Sequence, residues 1–414
     1  MGGELEDALK ITGLTLFPVA TPPPHRGGRI WLFLRLDTDN GPHGYGEVRL
    51  DSSAFRYRAL ATLVEDIFEQ YVAGENPYNV ERLVERIYGR AGYTHYPDHT
   101  KLAILSGIEV ACWDIIGKDT GRPLYALLGG KVRDRVRTYT YIYPHPASAG
   151  GRQANADLWR DADAISERAK YFVDLGFTAL KLDPFQGLSQ EALLGQVVPV
   201  NYPLEVLDAA ESVIGAIRDT VGSACDICIG THGQMTAAGA IRVAKRLEQF
   251  DLLWFEEPVP PENATEMAKV ARATTIPITT GERLGTRYEF LRLIEHGAAA
   301  IFNFDLGQVG GVLESKKIAA LAEAAYVQIS PHVHSGPIVA AASAHIMLSC
   351  TNALIMEGIE RFDGFAAEVL DPGFTWERGY LLPSERPGLG HELREDVVRA
   401  HAPEDAGPLQ LHAT

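Results

Sequence analysis

Short apolar runs in this chain end in residues suited to acid–base chemistry beside a cation. Phe177–Asp183 ends in Lys181 and Asp183, Cys225–His232 in His232, and Leu252–Glu257 in the pair Glu256 and Glu257. Ile276–Glu282 ends in Glu282, and further runs end at Asp305, His332 and Glu357. Carboxylates held close together repel unless a cation lies between them, and a hard divalent ion such as Mg²⁺ takes oxygen ligands. Acids on consecutive strand ends, Glu256 and Glu282 first, are therefore candidate metal ligands. The competing reading is a structural ion network in which these acids pair with Arg283, Arg287 or Lys181. An Asp can hold an imidazole in one tautomer and raise its basicity, so Asp305 with His332 makes a candidate general base; His334 is the alternative imidazole. Glu357 can donate or accept a proton opposite that base, and His232 is a second imidazole. Taken singly, each His reads as an ordinary half-buried polar residue and Lys181–Asp183 as a buried pair. Their joint placement favours a site.

Such residues need a scaffold that gathers strand ends. Continuous apolar runs suit buried parallel strands. Strand-like runs lie near 136–142, 177–183, 225–231, 252–256, 277–281, 299–305, 326–332 and 353–357. Helical patterns alternate with them, as at Asn155–Leu175, Ala237–Gln249, Glu262–Ala273, Arg287–His296 and Val312–Ala325. That rhythm predicts a (β/α)8-type barrel, whose catalytic groups sit at the C-terminal ends of the strands. Gln186–Pro203 is an insertion at the mouth. A doubly wound sheet is the runner-up, but Gly307–Gly311 lacks the glycine spacing of a dinucleotide-binding turn.

Before the barrel, Arg29–Asp37 and Gly44–Val48 read as strands joined by the turn Asp39–Gly41. Helices are predicted from Ala54 to Tyr71, Val80 to Tyr88 and Leu102 to Asp119, the last with Ile104, Ile108, Ala111 and Ile115 on one face. The expected organisation is an α+β capping domain at 1–130, a barrel at 131–360, and a C-terminal segment at 361–414 that packs back on the cap. Loops at Pro22–Gly28 and Gly92–His99 are placed to set specificity.

Composition excludes several classes. The 414 residues carry a net charge of −16, 46% hydrophobic and 22% charged residues, ordinary for a soluble protein. That charge argues against nucleic acid or an anionic membrane as partner. No run approaches the ~18 apolar residues of a membrane span, and the acidic start lacks a signal-peptide core, so a cytoplasmic location is expected. Cys225 and Cys228 form a C-x-x-C. Residues three apart on a strand face opposite ways, and no second pair completes a zinc site, so buried strand cysteines are expected.

Together these residues resemble the enolase superfamily, and within it the mandelate racemase / muconate lactonizing enzyme group. The motifs are Gly44-Tyr-Gly-Glu47, Ile108–Lys118, Leu127–Lys131, Trp254–Pro258, Gly281-Glu282 and Asp305-x4-Gly310-Gly311. The resemblance implies a modified barrel with a capping domain, a homo-oligomer, a Mg²⁺ cofactor and a small carboxylate substrate. Glu256 and Glu282 match the second and third metal ligands. Asp305 and His332 match the dyad that removes the proton α to a carboxylate; His332 is preferred because it lies four residues before Gly336-Pro337, as in sugar-acid dehydratases. Glu357 matches the acid that binds the substrate carboxylate, and His232 the imidazole that protonates a departing hydroxyl. Lys181 matches the first lysine of a Lys-x-Lys whose second position is here Asp183.

One departure is larger. The first metal ligand, an Asp two residues before that histidine, is here Gly230. His232 replaces it, water fills the gap, or metal binding is weakened or lost. The expected activity is dehydration of a sugar acid through a metal-stabilised enediolate. The alternatives are a racemase, epimerase or cycloisomerase with Lys181 as second acid/base, and a non-catalytic or metal-free barrel.

Overall fold

The computed structural model describes residues 9–50, 57–90, 98–145, 151–186, 199–404 and 410–412. Most of the Gly92–His99 loop, most of the Gln186–Pro203 insertion and residues 54–56 of the first predicted helix lie outside the described residues.

The N-terminal part is an antiparallel sheet of β1 (Ile11–Ala20), β2 (Ile30–Thr38) and β3 (Gly44–Val48), with Gln410–His412 added beside β1. The predicted turn at Asp39–Gly41 joins β2 to β3, with the Gly41 amide donating to Thr38 Oγ1. Helix His99–Asp119 lies on this sheet. Asp98 caps it by accepting from the Lys101 amide, which satisfies one of the amides orphaned at a helix start. Its buried face includes Ile104, Ile108, Ala111 and Ile115, as the periodicity predicts. The helix approaches β3 so closely that a Cβ on Gly46 would stand 1.9 Å from the Gly107 carbonyl oxygen. Only two glycines permit that contact.

The second layer is a parallel barrel. Its strands are β4 (Val136–Tyr141), β5 (Ala179–Leu182), β6 (Asp226–Gly230), β7 (Trp254–Glu256), β8 (Ile278–Thr280), β9 (Ile301–Phe302), β10 (Gln328–Ile329) and β11 (Met356–Gly358). Neighbours pair in parallel from β4 to β10, and β11 pairs β4. The ring closes through Ile329–Ala353 bridging and the Leu354 amide donating to the Ile329 carbonyl. Tyr139, Ala179, Cys228, Trp254, Ile301 and Ile355 fill the interior below the mouth. All four cysteines are buried and free. The segment predicted as one helix over Asn155–Leu175 is two, Gly151–Leu158 and Ala162–Leu175. Asp161 breaks it, accepting from the amides of Asp163 and Ala164 as the cap of the second helix.

Two buried acids fasten the N-terminal part to the barrel. Glu47 accepts from the Gly336 and Val339 amides at the start of helix Pro337–Ser349. Glu109 accepts from Val312 and Leu313, at 2.7 and 2.9 Å, at the start of helix Val312–Ala324. Each carboxylate thus meets orphan amides and the positive end of a helix dipole. The C-terminal segment divides. Helix Glu395–Ala400 and strand Gln410–His412 lie against β1, whereas the hairpin Thr375–Leu382 pairs with β4 of the barrel. Among the described residues no helix is long and apolar enough to cross a membrane.

Candidate active site

The period of two along each strand sorts the strand-end residues. On β7, Trp254 and Glu256 face the barrel interior while Phe255 faces its helices. The Trp254 indole donates to Glu256 Oε2 at 3.0 Å, fixing the carboxylate from below. Glu257, one residue on, turns away through a left-handed φ of 40° and accepts from Arg283 Nε at 2.8 Å. So one acid of the pair faces the barrel interior, under the mouth, and the other belongs to a structural ion pair.

Above this floor is a cavity of about 1050 Å³, lined by Glu282, His332, Glu357 and His232 from the barrel and by Arg49 and His99 from the cap. Its size suits a small organic ligand. Asp305 and His332 meet across β9 and β10. His332 Nδ1 lies 2.7 Å from Asp305 Oδ2, and Asp305 Oδ1 accepts from the Gly307 amide at 2.8 Å. An ionised Asp accepts only, so Nδ1 carries the ring proton and Nε2 is left facing the cavity. Nε2 stands 3.6 Å from Glu282 Oε2 and 3.7 Å from Glu357 Oε2. Burial acts to lower the basicity of His332. The charges of Glu357 and Glu282 and the Asp305 bond outweigh it and raise its pKa to about 9. His334 lines the cavity without a hydrogen bond to Asp305.

Opposite the dyad, His232 follows β6 in a left-handed conformation (φ 51°), an uncommon state for a residue with a side chain. Its ring is 43% exposed, into the cavity, and its Nδ1 lies 3.6 Å from Asp183 Oδ2. Burial again opposes the charge, but Asp183 and Glu282 raise the His232 pKa to about 9. Asp183 is itself held by the Phe185 amide at 3.0 Å and Gln234 Nε2 at 2.9 Å. The acid that stands in place of a second lysine therefore faces His232.

Lys181 is fully buried, with Nζ 2.6 Å from Glu256 Oε1 and 3.9 Å from Glu357 Oε1. Burial disfavours its charge, but Glu256 prevails and holds it as an ammonium above its ordinary range. Glu357 accepts from the Val333 amide at 2.7 Å. Glu282 Oε2 is buried and has no hydrogen-bond partner.

Arg49 had no counterpart in the sequence reading. Its Nε lies 3.1 Å from Asp305 Oδ2, the oxygen that also holds His332. Burial raises Asp305; Arg49 leads the interactions that bring it below its ordinary value. The signal was its position just past the end of β3, two residues after Glu47. Tyr141, whose ring lies 5.0 Å from Lys181 Nζ, was also missed, because its run carries no charged end.

Residues 14–129 match the family described as "Mandelate racemase / muconate lactonizing enzyme, N-terminal domain", and residues 164–397 match "Enolase C-terminal domain-like". D-galactonate dehydratases of Verminephrobacter eiseniae and Ralstonia nicotianae are each 34% identical, with 98% of both chains covered. A solved structure of a putative mandelate racemase/muconate lactonizing enzyme from Labrenzia alexandrii is 46% identical, with a TM-score of 0.89 over 96% of this chain and 98% of that one. A putative dehydratase from Salmonella enterica is 28% identical, with a TM-score of 0.85 over 95% of this chain and 99% of that one.

Proposed function

This chain belongs to the mandelate racemase / muconate lactonizing enzyme family of the enolase superfamily, and from that premise we propose that it is a hydro-lyase that dehydrates a sugar acid. His332 Nε2 takes the proton α to the carboxylate, and the C–H electrons pass into an enediolate. The enediolate collapses, the β carbon–oxygen bond breaks, and the hydroxyl leaves as water with a proton from His232. The resulting enol tautomerises to a 2-keto acid. Asp305 keeps His332 in the basic tautomer, Arg49 and the Gly307 amide hold Asp305, and Asp183 keeps His232 charged. Glu282 Oε2, buried and without a hydrogen bond, is an acceptor for a substrate hydroxyl.

The observation that carries this reading is the geometry of the two sides. One side holds His332, bonded to Asp305 at 2.7 Å with Nε2 turned to the cavity to take a proton. The other holds the half-exposed His232, 3.6 Å from Asp183 and placed to give one. A racemase or epimerase needs a second base, and Lys181 is spent on Glu256 at 2.6 Å. The relatives named as D-galactonate dehydratases support the same substrate class.

The family implies Mg²⁺, bound by three carboxylates. The residues here do not fit it. Gly230 supplies no ligand. Glu256 is committed at both oxygens, to Lys181 and Trp254. Among the described residues no three His, Cys, Asp or Glu side chains converge as a metal site. No step above passes through a metal. Charge developing on the enediolate is met instead by the fields of Lys181 and of the His332 imidazolium formed in the same step, which act strongly where water is excluded.

The test is a panel of aldonic and aldaric acids incubated in D₂O. A 2-keto product supports dehydration; deuterium in an unchanged skeleton means racemisation or epimerisation. His232→Gln should lower dehydration by about 10²-fold or more, the usual weight of a positioned acid, while leaving α-proton exchange measurable. Dehydration at the wild-type rate would remove His232 from the mechanism.

The pH profile has a definite sign. The base works when neutral and His332 titrates at about 9, so kcat/KM should rise about tenfold per pH unit below 8. The acid works when protonated and His232 also titrates at about 9, so the rate should fall above that. A bell centred near pH 9 is expected. A flat profile between pH 6 and 8 would contradict the assigned base.

A further inference from the structure

The resemblance puts an Asp where this chain has Gly230; here the space over that residue is occupied. Lys181 stands on β5 and Glu256 on β7, with β6 between them. Adjacent strands lie ~4.8 Å apart, so a bond between β5 and β7 must cross the inner face of β6. It crosses at Gly230, the residue paired with Glu256 in the sheet register. A Cβ at 230 would stand 2.4 Å from Lys181 Cε and 3.2 Å from its Nζ, closer than real Cβ atoms approach a neighbour at the first of these. The Lys181 chain and any side chain at 230 therefore exclude each other in this arrangement. Gly230 carries no positive φ, so its requirement here is space and not backbone freedom.

The ammonium that fills the gap is well accommodated. It hydrogen-bonds Glu256 and lies 3.9 Å from Glu357. The rings of Tyr141 and Tyr139 are 5.0 and 5.7 Å away, within cation–π range. Lys181 is 0% exposed, so the charge sits just under the cavity floor formed by Glu282, Glu357 and Tyr141. Glu282 and Glu357 face the His332 ring, at 3.6 and 3.7 Å from its Nε2.

We propose that this barrel carries its site cation covalently: the Lys181 ammonium, lying over Gly230 and bonded to Glu256, occupies the place of the divalent ion, and the site binds no Mg²⁺. Lys181 is then a positioning residue. It neutralises Glu256 and biases the field at the floor without touching the substrate. The inference concerns the site of the proposed dehydration but does not depend on which acid is dehydrated.

The test uses Mn²⁺ as the probe, followed by electron paramagnetic resonance on metal-stripped protein without substrate. The wild type should show no saturable site. Gly230→Asp combined with Lys181→Ala restores the carboxylate and clears the space, and should bind one Mn²⁺ per chain. The gain should exceed the ~10–100-fold that outer partners contribute to metal affinity, and Glu282→Gln in that background should remove it. If the double variant fails to fold, Gly230→Asp with Lys181→Ser replaces it and clears the same space. One tight Mn²⁺ in the wild type, lost in Glu256→Gln, would overturn the proposal, as would failure of every folded Gly230→Asp variant to gain Mn²⁺. Absence of any 2-keto product would count against the dehydratase reading only.

Discussion

His332→Asn is expected to abolish α-proton exchange. Asn retains a polar group at the end of β10 but has no basic nitrogen. Removing a positioned base costs about 10²–10⁴-fold, and the loss here should reach the upper end. His334 cannot substitute, since it makes no bond to Asp305, and Lys181 cannot because it stays charged. The measurement is loss of the α-proton signal in D₂O under saturating acid, with cooperative unfolding retained as control. Exchange at more than a tenth of the wild-type rate would transfer the base role elsewhere. Asp305 should survive the change structurally, because Arg49 and the Gly307 amide still hold it.

Lys181→Met should impair both stability and turnover, and the two losses should depend on pH in a set direction. Met keeps most of the volume above Gly230 and removes the charge. Glu256 then lies buried beside Glu282 and Glu357 with its principal cation gone. Breaking a buried pair on one side costs about 3–5 kcal/mol, and loss of one preorganised charge should slow the reaction by roughly 10²-fold. The folded-state pKa of Glu256 in the variant is raised above its unfolded value by burial and like charge. Its proton is therefore held longer in the folded state, and stability is lost as pH rises above the unfolded carboxylate range. Burial already raises the wild-type Glu256 carboxyl to about 7 against the pull of Lys181, so the gap to wild type should open as pH rises through 7 and narrow below it. A gap independent of pH would mean that Lys181 serves only as packing.

The parts of this site legible in the sequence are those written along one strand. Apolar runs with polar ends placed Lys181, His232, Glu256, Glu282, Asp305, His332 and Glu357 around one mouth, because a parallel barrel turns chain order into a ring. Relations across strands were hidden. That Lys181 reaches Glu256 depends on β6 offering a glycine in the path, a fact of register. Arg49, Glu47 and Glu109 act on partners more than 200 residues away in sequence, and spacing does not encode such pairing. The break at Asp161 was local yet still missed, since the hydrophobic period runs through it and only the side-chain cap interrupts it.

Glu47 and Glu109 have one more consequence, for traffic through the cavity. Swinging the cap away as a rigid body would strip both carboxylates from their helix amides and part β3 from helix Pro337–Ser349. Each buried charge would lose its donors at once. Entry and exit therefore cannot work as a hinged door. They must work as a porthole, an opening in a frame that Glu47 and Glu109 keep bolted.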